Sequence, residues 1–170
     1  MKTRIAAILL TAGAAAYGAT LPMETLELRL GGKMDFSDAD GHTDFLVESG
    51  LGYFILDNIA LGGLVDLGYD GRHLGLGLGG YGEYNVDVNS YLMPYGALRA
   101  QLCTGGYYRQ VADHNFLLVE PAAGMKFFVS ENLAIFTELY LAVATEKAWL
   151  DNDSPKRHDT GLKAGLRCYF

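Results

Sequence analysis

The last stretch of the chain, residues 160–170, alternates between two kinds of position. Leu166 and Phe170 fall on one face with other apolar residues, whereas Lys163 and Arg167 fall on the opposite face. Alternation with a period of two indicates a β-strand whose faces lie in different surroundings. Leucines and a terminal aromatic residue on one face fit a lipid-facing exterior, and the cations then point into a polar interior.

The same alternation recurs along the chain and defines eight candidate strands. Each is about as long as the roughly 9–11 residues of a tilted strand that crosses a bilayer. An even number of antiparallel strands closes with both chain ends on the same side. The sequence therefore predicts an all-β fold, an eight-stranded antiparallel up-and-down transmembrane β-barrel. The predicted strands span residues 24–34, 44–56, 59–69, 73–84, 91–103, 116–129, 133–146 and 160–170.

The predicted connections alternate between short and long. Transmembrane barrels combine short periplasmic turns with longer outer loops, so the short connections are placed on the periplasmic side. The three-residue connection at 70–72 is an exception among the outer loops. The short connections are 57–58, 85–90 and 130–132, and the long ones are 35–43, 104–115 and 147–159.

Charged residues on the inferred inner face balance one another, with six acids against six bases. Charges withdrawn from water cost several kcal/mol each unless they are paired. We therefore expect one connected network of ion pairs that fills the lumen. The acids are Glu27, Glu48, Asp66, Glu83, Glu120 and Glu138, and the bases are Arg29, Lys33, Arg99, Lys126, Lys163 and Arg167.

Strand order suggests partners within this network. Adjacent strands of a closed barrel bring their inner faces together, so a cation on the closing strand should meet acids of the first and seventh strands. The expected partners of Arg167 and Lys163 are Glu27 and Glu138, and those of Arg99 are Glu83 and Glu120.

Two prolines fall inside predicted strands. Proline has no backbone N–H to donate to a neighbouring strand, and a closed barrel pairs every strand on both sides. We therefore expect Pro94 and Pro121 each to lie at a bulge or at a strand end.

The chain contains two cysteines, Cys103 and Cys168. The up-and-down order places Cys103 near the outer rim and Cys168 near the periplasmic end. Disulfide geometry requires Cα atoms within about 7 Å, so no internal disulfide is expected.

Residues 1–18 have the features of a secretory signal peptide. Lys2 and Arg4 precede an apolar run, and small residues lead to a cleavage site after Gly18. The expected organisation is a signal peptide at 1–18 and a barrel domain at 19–170. Beyond the signal, no window approaches the roughly 18 consecutive apolar residues of a spanning helix. Loss of the signal's two cations changes the net charge from −7 to −9, and such an acidic exported protein is not expected to bind nucleic acid.

Two hairpins resemble those of a known family. The segments GYFILDNIALGGLVDLGYD at 52–70 and MKFFVSENLAIFTELYLAVA at 125–144 are similar to the aromatic–turn–Asn–aliphatic hairpins of the small outer-membrane β-barrel family. Its members include the opacity proteins, OmpX-like proteins and the OmpA transmembrane domain. The resemblance implies a monomeric eight-stranded barrel in a Gram-negative bacterial outer membrane, without implying one activity.

The resemblance also implies a role for the closing strand. In the family, a terminal aromatic with alternating apolar residues is the signal that the barrel assembly machinery recognises. The matching residues here are Leu166, Cys168, Tyr169 and Phe170. Because the sequence stops at Phe170, we expect no attached peptidoglycan-binding domain of the kind found in some relatives.

The segment Gly75–Gly80 fits the pattern G-x-G-x-x-G of dinucleotide-binding sites. That pattern requires a following helix within a βαβ unit, and here its leucines alternate as in a strand. Glycine on the inner face then leaves room for long side chains from the opposite wall. No cofactor is predicted.

The four histidines, His42, His73, His114 and His158, fall in or beside the outer connections. Imidazoles that converge at one rim are able to bind zinc, copper or nickel, but no ligand spacing such as H-x-x-x-H supports such a site. No nucleophile, histidine and acid are grouped at matching strand ends. The sequence therefore predicts neither a metal site nor catalytic residues.

Three functional hypotheses follow. The first is a structural or surface-interaction protein, embedded in outer-membrane lipid, with a side-chain-filled polar lumen and outer loops that meet an unknown extracellular partner. The second is a narrow, porin-like pore for ions or a small ligand, gated by the same charges. The third is a soluble lipocalin-like binding barrel, whose apolar faces would point inward.

Overall fold

The computed structural model describes residues 21–35, 44–88, 91–108, 114–151 and 154–170. Across these ranges the chain is built from β-strands joined by turns and irregular segments, as the alternation predicts. The strands are β1 (Leu26–Asp35), β2 (Asp44–Leu56), β3 (Ile59–Tyr69), β4 (Leu74–Asn85), β5 (Leu92–Gly105), β6 (Phe116–Ser130), β7 (Leu133–Ala144), β8 (Trp149–Asp151), β9 (Ser154–Lys156) and β10 (His158–Tyr169).

Eight of these strands form a closed antiparallel barrel in the order β1-β10-β7-β6-β5-β4-β3-β2. This confirms the predicted fold and up-and-down topology. The short strands β8 and β9 pair with each other as a separate hairpin. This hairpin occupies part of the predicted loop 147–159, and β10 begins two residues before the predicted strand.

One end of the barrel, here called the turn end, carries the short connections. The turn between β2 and β3 consists of Asp57 and Asn58, and Asn58 has a positive φ of 63°. Asparagine tolerates this left-handed conformation, which tight hairpin turns require. A register shift between Phe54 and Leu56 precedes the turn. The opposite end, here called the loop end, carries the longer connections.

The alternation of the sequence becomes an inside and an outside of the barrel. Outward side chains such as Leu139 and Leu162 are 64% and 66% exposed, whereas the inward Arg29 and Arg167 are 0% exposed. A strand places successive side chains on opposite faces, so charged and apolar residues one position apart lie on the two sides of one wall. The exterior is apolar and the interior charged.

Apolar side chains close both ends of the lumen, which the prediction of a polar interior did not include. The turn-end cap contains Leu21, Phe54, Ala60, Met93, Ala134 and Tyr169. The loop-end cap is built around Leu46, Cys103, Tyr108, Phe116, Leu118 and Tyr140, with Tyr107 and Trp149 packed against it. The fully buried charged residues lie between these caps.

The prolines behave differently from each other. Pro94 is the third residue of β5, close to a strand end as expected, and its carbonyl accepts a hydrogen bond from the Val86 N–H at 2.8 Å. Pro121 lies in the middle of β6, so the prediction of a bulge or strand end is wrong there. The β6–β7 pairing stops after Val119 and resumes at Ala122 in the same register. The barrel therefore accommodates the missing N–H through a local break in the pairing.

Both cysteines are free thiols, Cys103 buried within the loop-end cap and Cys168 near the turn end. The predicted signal peptide, residues 1–18, lies outside the described residues. Within the described ranges, no helix is long and apolar enough to cross a membrane.

Candidate functional site: the lumen charges

The twelve charged residues predicted for the lumen all lie on inward faces of the barrel strands. All are buried except Lys33, whose side chain is 27% exposed near the loop end. Charge at this depth is stable only with hydrogen-bonded partners of opposite sign. The ion pairs divide the residues into a lower cluster, an upper cluster, an outer pair and one acid without an ion pair.

The lower cluster, next to the turn-end cap, consists of Glu27, Glu83, Lys126 and Arg167. One guanidinium nitrogen of Arg167 lies 2.8 Å from Glu27 and 2.7 Å from Glu83. The ammonium of Lys126 lies 3.3 Å from Glu27 and 2.5 Å from Glu83. Each cation therefore binds both acids, and two positive charges balance two negative ones.

Arg167 and Glu83 stand on opposite walls, because β10 and β4 are four strands apart in the closed order. Their 2.7 Å contact thus crosses the whole lumen. Tyr81 adds a hydroxyl that donates to Glu27 at 3.0 Å. The rings of Phe54 and Tyr169 pack edge to face beneath the cluster with centroids 6.4 Å apart. At this level the lumen is filled by side chains.

The upper cluster, nearer the loop end, consists of Arg29, Arg99, Lys163, Glu48, Glu120 and Glu138.

Arg29 and Arg99 share Glu138, with contacts of 2.7 and 2.6 Å to its two oxygens. Arg29 also lies 2.5 Å from Glu48. Arg99 also lies 2.6 Å from Glu120. Both arginines therefore bridge two acids on different strands.

Lys163 completes the upper cluster. Its ammonium lies 3.0 Å from Glu48 and 2.6 Å from Glu120, so it joins β10 to β2 and β6. Each acid of the cluster thus contacts at least two cations, and three negative charges balance three positive ones. The upper cluster is a set of shared ion pairs whose members come from six of the eight barrel strands.

Aromatic rings join the two clusters. The ring of Phe136 lies between Arg29 and Arg167, with its centroid 4.8 Å from the Cζ atom of each. The ring of Tyr95 lies 4.6 Å from Arg167, while its hydroxyl donates to Glu138 at 2.7 Å. A cation over an aromatic face is attracted by the ring's electron density. The clusters are therefore linked through rings rather than through ion pairs.

The outer pair is Lys33 with Asp159, 2.9 Å apart. Tyr140 lies between them, because its hydroxyl contacts the Lys33 ammonium at 2.8 Å and donates to Asp159 at 2.9 Å. The sequence interpretation missed Asp159, since it placed residue 159 in a loop. The alternation of inward and outward residues could have revealed Asp159, because it begins at His158 in β10, two residues before the predicted start of the strand.

Several expected relationships need correction. Arg167 meets Glu27 and Arg99 meets Glu120 as expected. Lys163 does not pair with Glu138, although the two face each other across β10 and β7. Arg99 does not pair with Glu83, which belongs to the lower cluster. The charges form two ion-paired clusters and an outer pair rather than one network, and Asp66 has no ion pair among the described residues.

The histidines that the structure describes are dispersed, and His42 lies outside the described residues. His73 contacts Asp70 at 3.1 Å in the β3–β4 connection. Burial opposes ionisation of Asp70, but the backbone N–H groups of His73 and Arg72, at 2.6 and 2.9 Å, hold the pKa of its carboxyl below the usual value. Among the described residues, no three histidine, cysteine or acidic side chains are grouped to bind a metal.

Comparison with known proteins identifies the fold. No family model matches the chain, and no curated protein matches its sequence. The N-terminal β-barrel domain of Pseudomonas aeruginosa OprF is similar over 88% of this chain and 100% of that domain, with 16% identity and a TM-score of 0.59. The Neisserial surface protein NspA is similar over 86% of this chain and 95% of that one, with 16% identity and a TM-score of 0.57. A de novo designed transmembrane β-barrel is similar over 89% of this chain and 99% of that one, with 20% identity and a TM-score of 0.50. The chain shares the eight-stranded barrel fold of these proteins.

Proposed function

We propose that this protein is an outer-membrane β-barrel of the Gram-negative type, with a plugged lumen and a structural or surface-interaction role carried by its outer loops. The observation that carries the proposal is the inverted distribution of its side chains. Buried arginines, lysines and glutamates fill the interior, while leucines cover the exterior. This distribution suits a protein surrounded by lipid.

The apolar exterior supports placement in a bilayer. Outward leucines on every side of the barrel, such as Leu28, Leu78, Leu102 and Leu139, are between 42% and 64% exposed. Monomeric soluble proteins rarely expose continuous apolar patches larger than a few hundred Å². The closed sheet also leaves no unpaired long edge, which is the condition for a β-structure to enter lipid.

The same distribution argues against a soluble lipocalin-like barrel. Such a protein needs an apolar cavity for its ligand and a polar outer surface, the reverse of what is found here. A soluble lipocalin-like barrel would remain in solution without detergent, so the solubility of the mature chain tests this alternative. We expect the mature chain to require detergent or lipid.

The filled lumen supports a structural rather than a conducting role. Eight strands enclose an interior just wide enough for side chains, and Arg167 contacts Glu83 across that width. The apolar caps lie above and below the charges. A plugged barrel interacts with its surroundings through its lipid-facing wall and its loops.

The proposed partners follow from these surfaces. The wall contacts outer-membrane lipid, and the loop end meets an extracellular partner that is not identified. The closing strand would engage the barrel assembly machinery through Leu166, Cys168, Tyr169 and Phe170. Leu166 and Phe170 point outward and are 44% and 74% exposed, so both are accessible to another protein. Tyr169 is buried in the turn-end cap and contributes to that cap instead. We propose a monomer without enzymatic activity or nucleic-acid binding.

Membrane fractionation with heat-modifiable gel mobility tests the proposal. We expect the protein in the outer-membrane fraction, with unheated samples migrating faster than boiled ones because the barrel resists detergent. A soluble protein without a heat-dependent shift would contradict it.

A narrow pore is the second candidate, supported by the charged lining of the lumen. Conductance across planar bilayers separates it from the first. Discrete ion-conducting steps in the wild-type protein would favour the pore, whereas their absence together with correct membrane insertion would favour the plugged barrel.

A further inference from the structure

Asp66 differs from the other acids of the lumen. It lies on β3 and is 1% exposed, yet it has no ion pair among the described residues. Its Oδ1 atom is buried without a hydrogen-bond partner. Glu48 stands directly across from it on β2 and is already bound by Arg29 and Lys163. Like charges directly opposite in a sheet repel each other, so this carboxylate needs a further positive charge.

Among the described residues, the ion pairs leave one negative charge uncompensated. The lower cluster balances two acids with two bases, the upper cluster three with three, and the outer pair one with one. Asp66 is the remaining buried charged residue in the part of the lumen that the structure describes. An isolated carboxylate away from water is strongly unfavourable, so the interior acquires a proton or a cation at this position.

Two other buried polar side chains lie around Gly77, which faces Asp66 across β3 and β4. The position that a Cβ atom would take on Gly77 lies 2.7 Å from Gln101 Oε1, 3.1 Å from Asp66 Cβ and 3.4 Å from the Tyr108 hydroxyl. The Oε1 atom of Gln101 and the hydroxyl of Tyr108 are both buried without hydrogen-bond partners, and the Gln101 side chain lies within hydrogen-bonding reach of Asp66. Three oxygen-bearing side chains, Asp66 from β3, Gln101 from β5 and Tyr108 from the turn after β5, thus surround a glycine that supplies no side chain of its own.

A cavity adjoins Asp66 and Tyr108. It has a volume of about 30 Å³ and is lined by Asp66, Tyr108, Glu120 and Lys163, among others, beneath Tyr107 and Trp149. This exceeds the roughly 10–15 Å³ needed for one water-sized occupant. The nearest cations are engaged elsewhere, because Lys163 binds Glu48 and Glu120, and Lys33 binds Asp159.

We infer that Asp66, Gln101 and Tyr108 form a binding site for one monovalent alkali cation in the loop-end half of the lumen. Carboxylate, amide and phenol oxygens are hard ligands that suit alkali and alkaline-earth ions. A single uncompensated carboxylate matches one positive charge, and calcium would need more oxygen ligands and more negative charge. The inference concerns the folded barrel and does not depend on its cellular role or on whether the lumen conducts.

Thermal unfolding of the full chain in detergent micelles tests the site. Sodium chloride or potassium chloride replaces N-methylglucamine chloride at constant ionic strength. A ligand that binds only the folded state raises the unfolding temperature progressively above its dissociation constant. We expect this rise in the wild type and its loss in Asp66→Asn, which keeps the shape but removes the charge. Tyr108→Phe should require a higher cation concentration for the same rise.

Glu131→Gln is the matched control, because it removes an exposed carboxylate from the β6–β7 turn and should leave the cation dependence unchanged. The inference is overturned if the wild type shows no alkali-specific stabilisation, or if Asp66→Asn retains it. Infrared spectroscopy in saturating sodium provides a second measurement. A neutral carboxylic acid band that disappears in Asp66→Asn would show that a proton carries the compensating charge, and this result would also overturn the cation site.

Discussion

Arg29 and Arg167 face each other directly across the β1–β10 pairing, and both are completely buried. Like charges in this relationship repel each other. The structure separates them by turning Arg29 towards Glu48 and Glu138 in the upper cluster and Arg167 towards Glu27 in the lower cluster. The ring of Phe136 occupies the space between the two guanidinium groups.

Phe136→Leu should therefore destabilise the barrel by more than its loss of apolar volume. Small residues make room for this ring, since a Cβ on Gly31 would lie 2.6 Å from it. Desolvated cation–π contacts contribute up to about 2 kcal/mol each, and this ring makes two. The free energy of unfolding, measured by urea titration of the folded barrel, provides the comparison.

Phe116→Leu is the control for this variant, because Phe116 is also buried, in the loop-end cap, and makes no cation–π contact with the residues that the structure describes. In an Arg167→Met background, the cost of Phe136→Leu should fall. Equal costs for both phenylalanines, or strict additivity with Arg167→Met, would show that the ring acts only by packing.

Arg167→Met should strongly destabilise the barrel because, among the described residues, it leaves Glu27 and Glu83 with Lys126 as their one ion-paired cation. Removing one partner of a buried ion pair typically costs about 3–5 kcal/mol, whereas replacing both partners with neutral groups costs little. Arg167→Met combined with Glu27→Gln should therefore recover much of the loss. The measurement is a double-mutant cycle of unfolding free energies.

The matched cycle for the upper cluster uses Arg99→Met with Glu120→Gln, since these residues are direct neighbours across β5 and β6. Both cycles should show coupling. Single and double variants that unfold alike would mean that the lumen charges are hydrated independently, and the plugged lumen would lose its main support.

Leu139→Arg should block assembly of the barrel. Leu139 points outward and is 64% exposed, and an arginine that faces lipid near the bilayer midplane costs roughly 2–4 kcal/mol in such barrels. Glu138→Gln, one residue away on the inner face, should assemble but unfold more easily, because it weakens contacts with Arg29 and Arg99. Heat-modifiable mobility after expression reports assembly. Equal assembly of both variants would contradict a lipid-facing exterior at this strand.

The two cysteines should remain free thiols under oxidising conditions. Cys103 lies beside Gly77 and Phe116 towards the loop end, and Cys168 lies beside Leu28 and Leu133 towards the turn end. Gel migration should be identical with and without reductant, and denaturation should release two reactive thiols. An intramolecular disulfide would be incompatible with the observed strand order, because its Cα atoms must lie within about 7 Å.

The sequence predicts which side chains face inward, how many strands form the barrel and where the charges lie, because all three depend on a local period of two. Leu162 and Lys163 lie on opposite faces of one strand whatever surrounds them. The alternation of polar and apolar residues that reveals this is present in the sequence itself. The same reasoning extends to the closed barrel, since an even number of alternating strands with alternately short and long connections is typical of transmembrane barrels. The apolar caps escaped it because residues such as Met93 and Leu118 interrupt the polar face only near strand ends.

The choice of partners was decided by the tertiary structure. Lys163 faces Glu138 across adjacent strands, but its ammonium instead reaches Glu48 and Glu120, because Arg29 and Arg99 occupy both oxygens of Glu138. Long flexible side chains cross the lumen, so their contacts depend on the register and tilt with which the whole barrel closes. Those quantities are set by all eight strands together, and no single strand encodes them. For the same reason, the sequence shows that the predicted lumen acids and bases are equal in number. Only the closed barrel shows that Asp66 is left without an ion pair among the described residues.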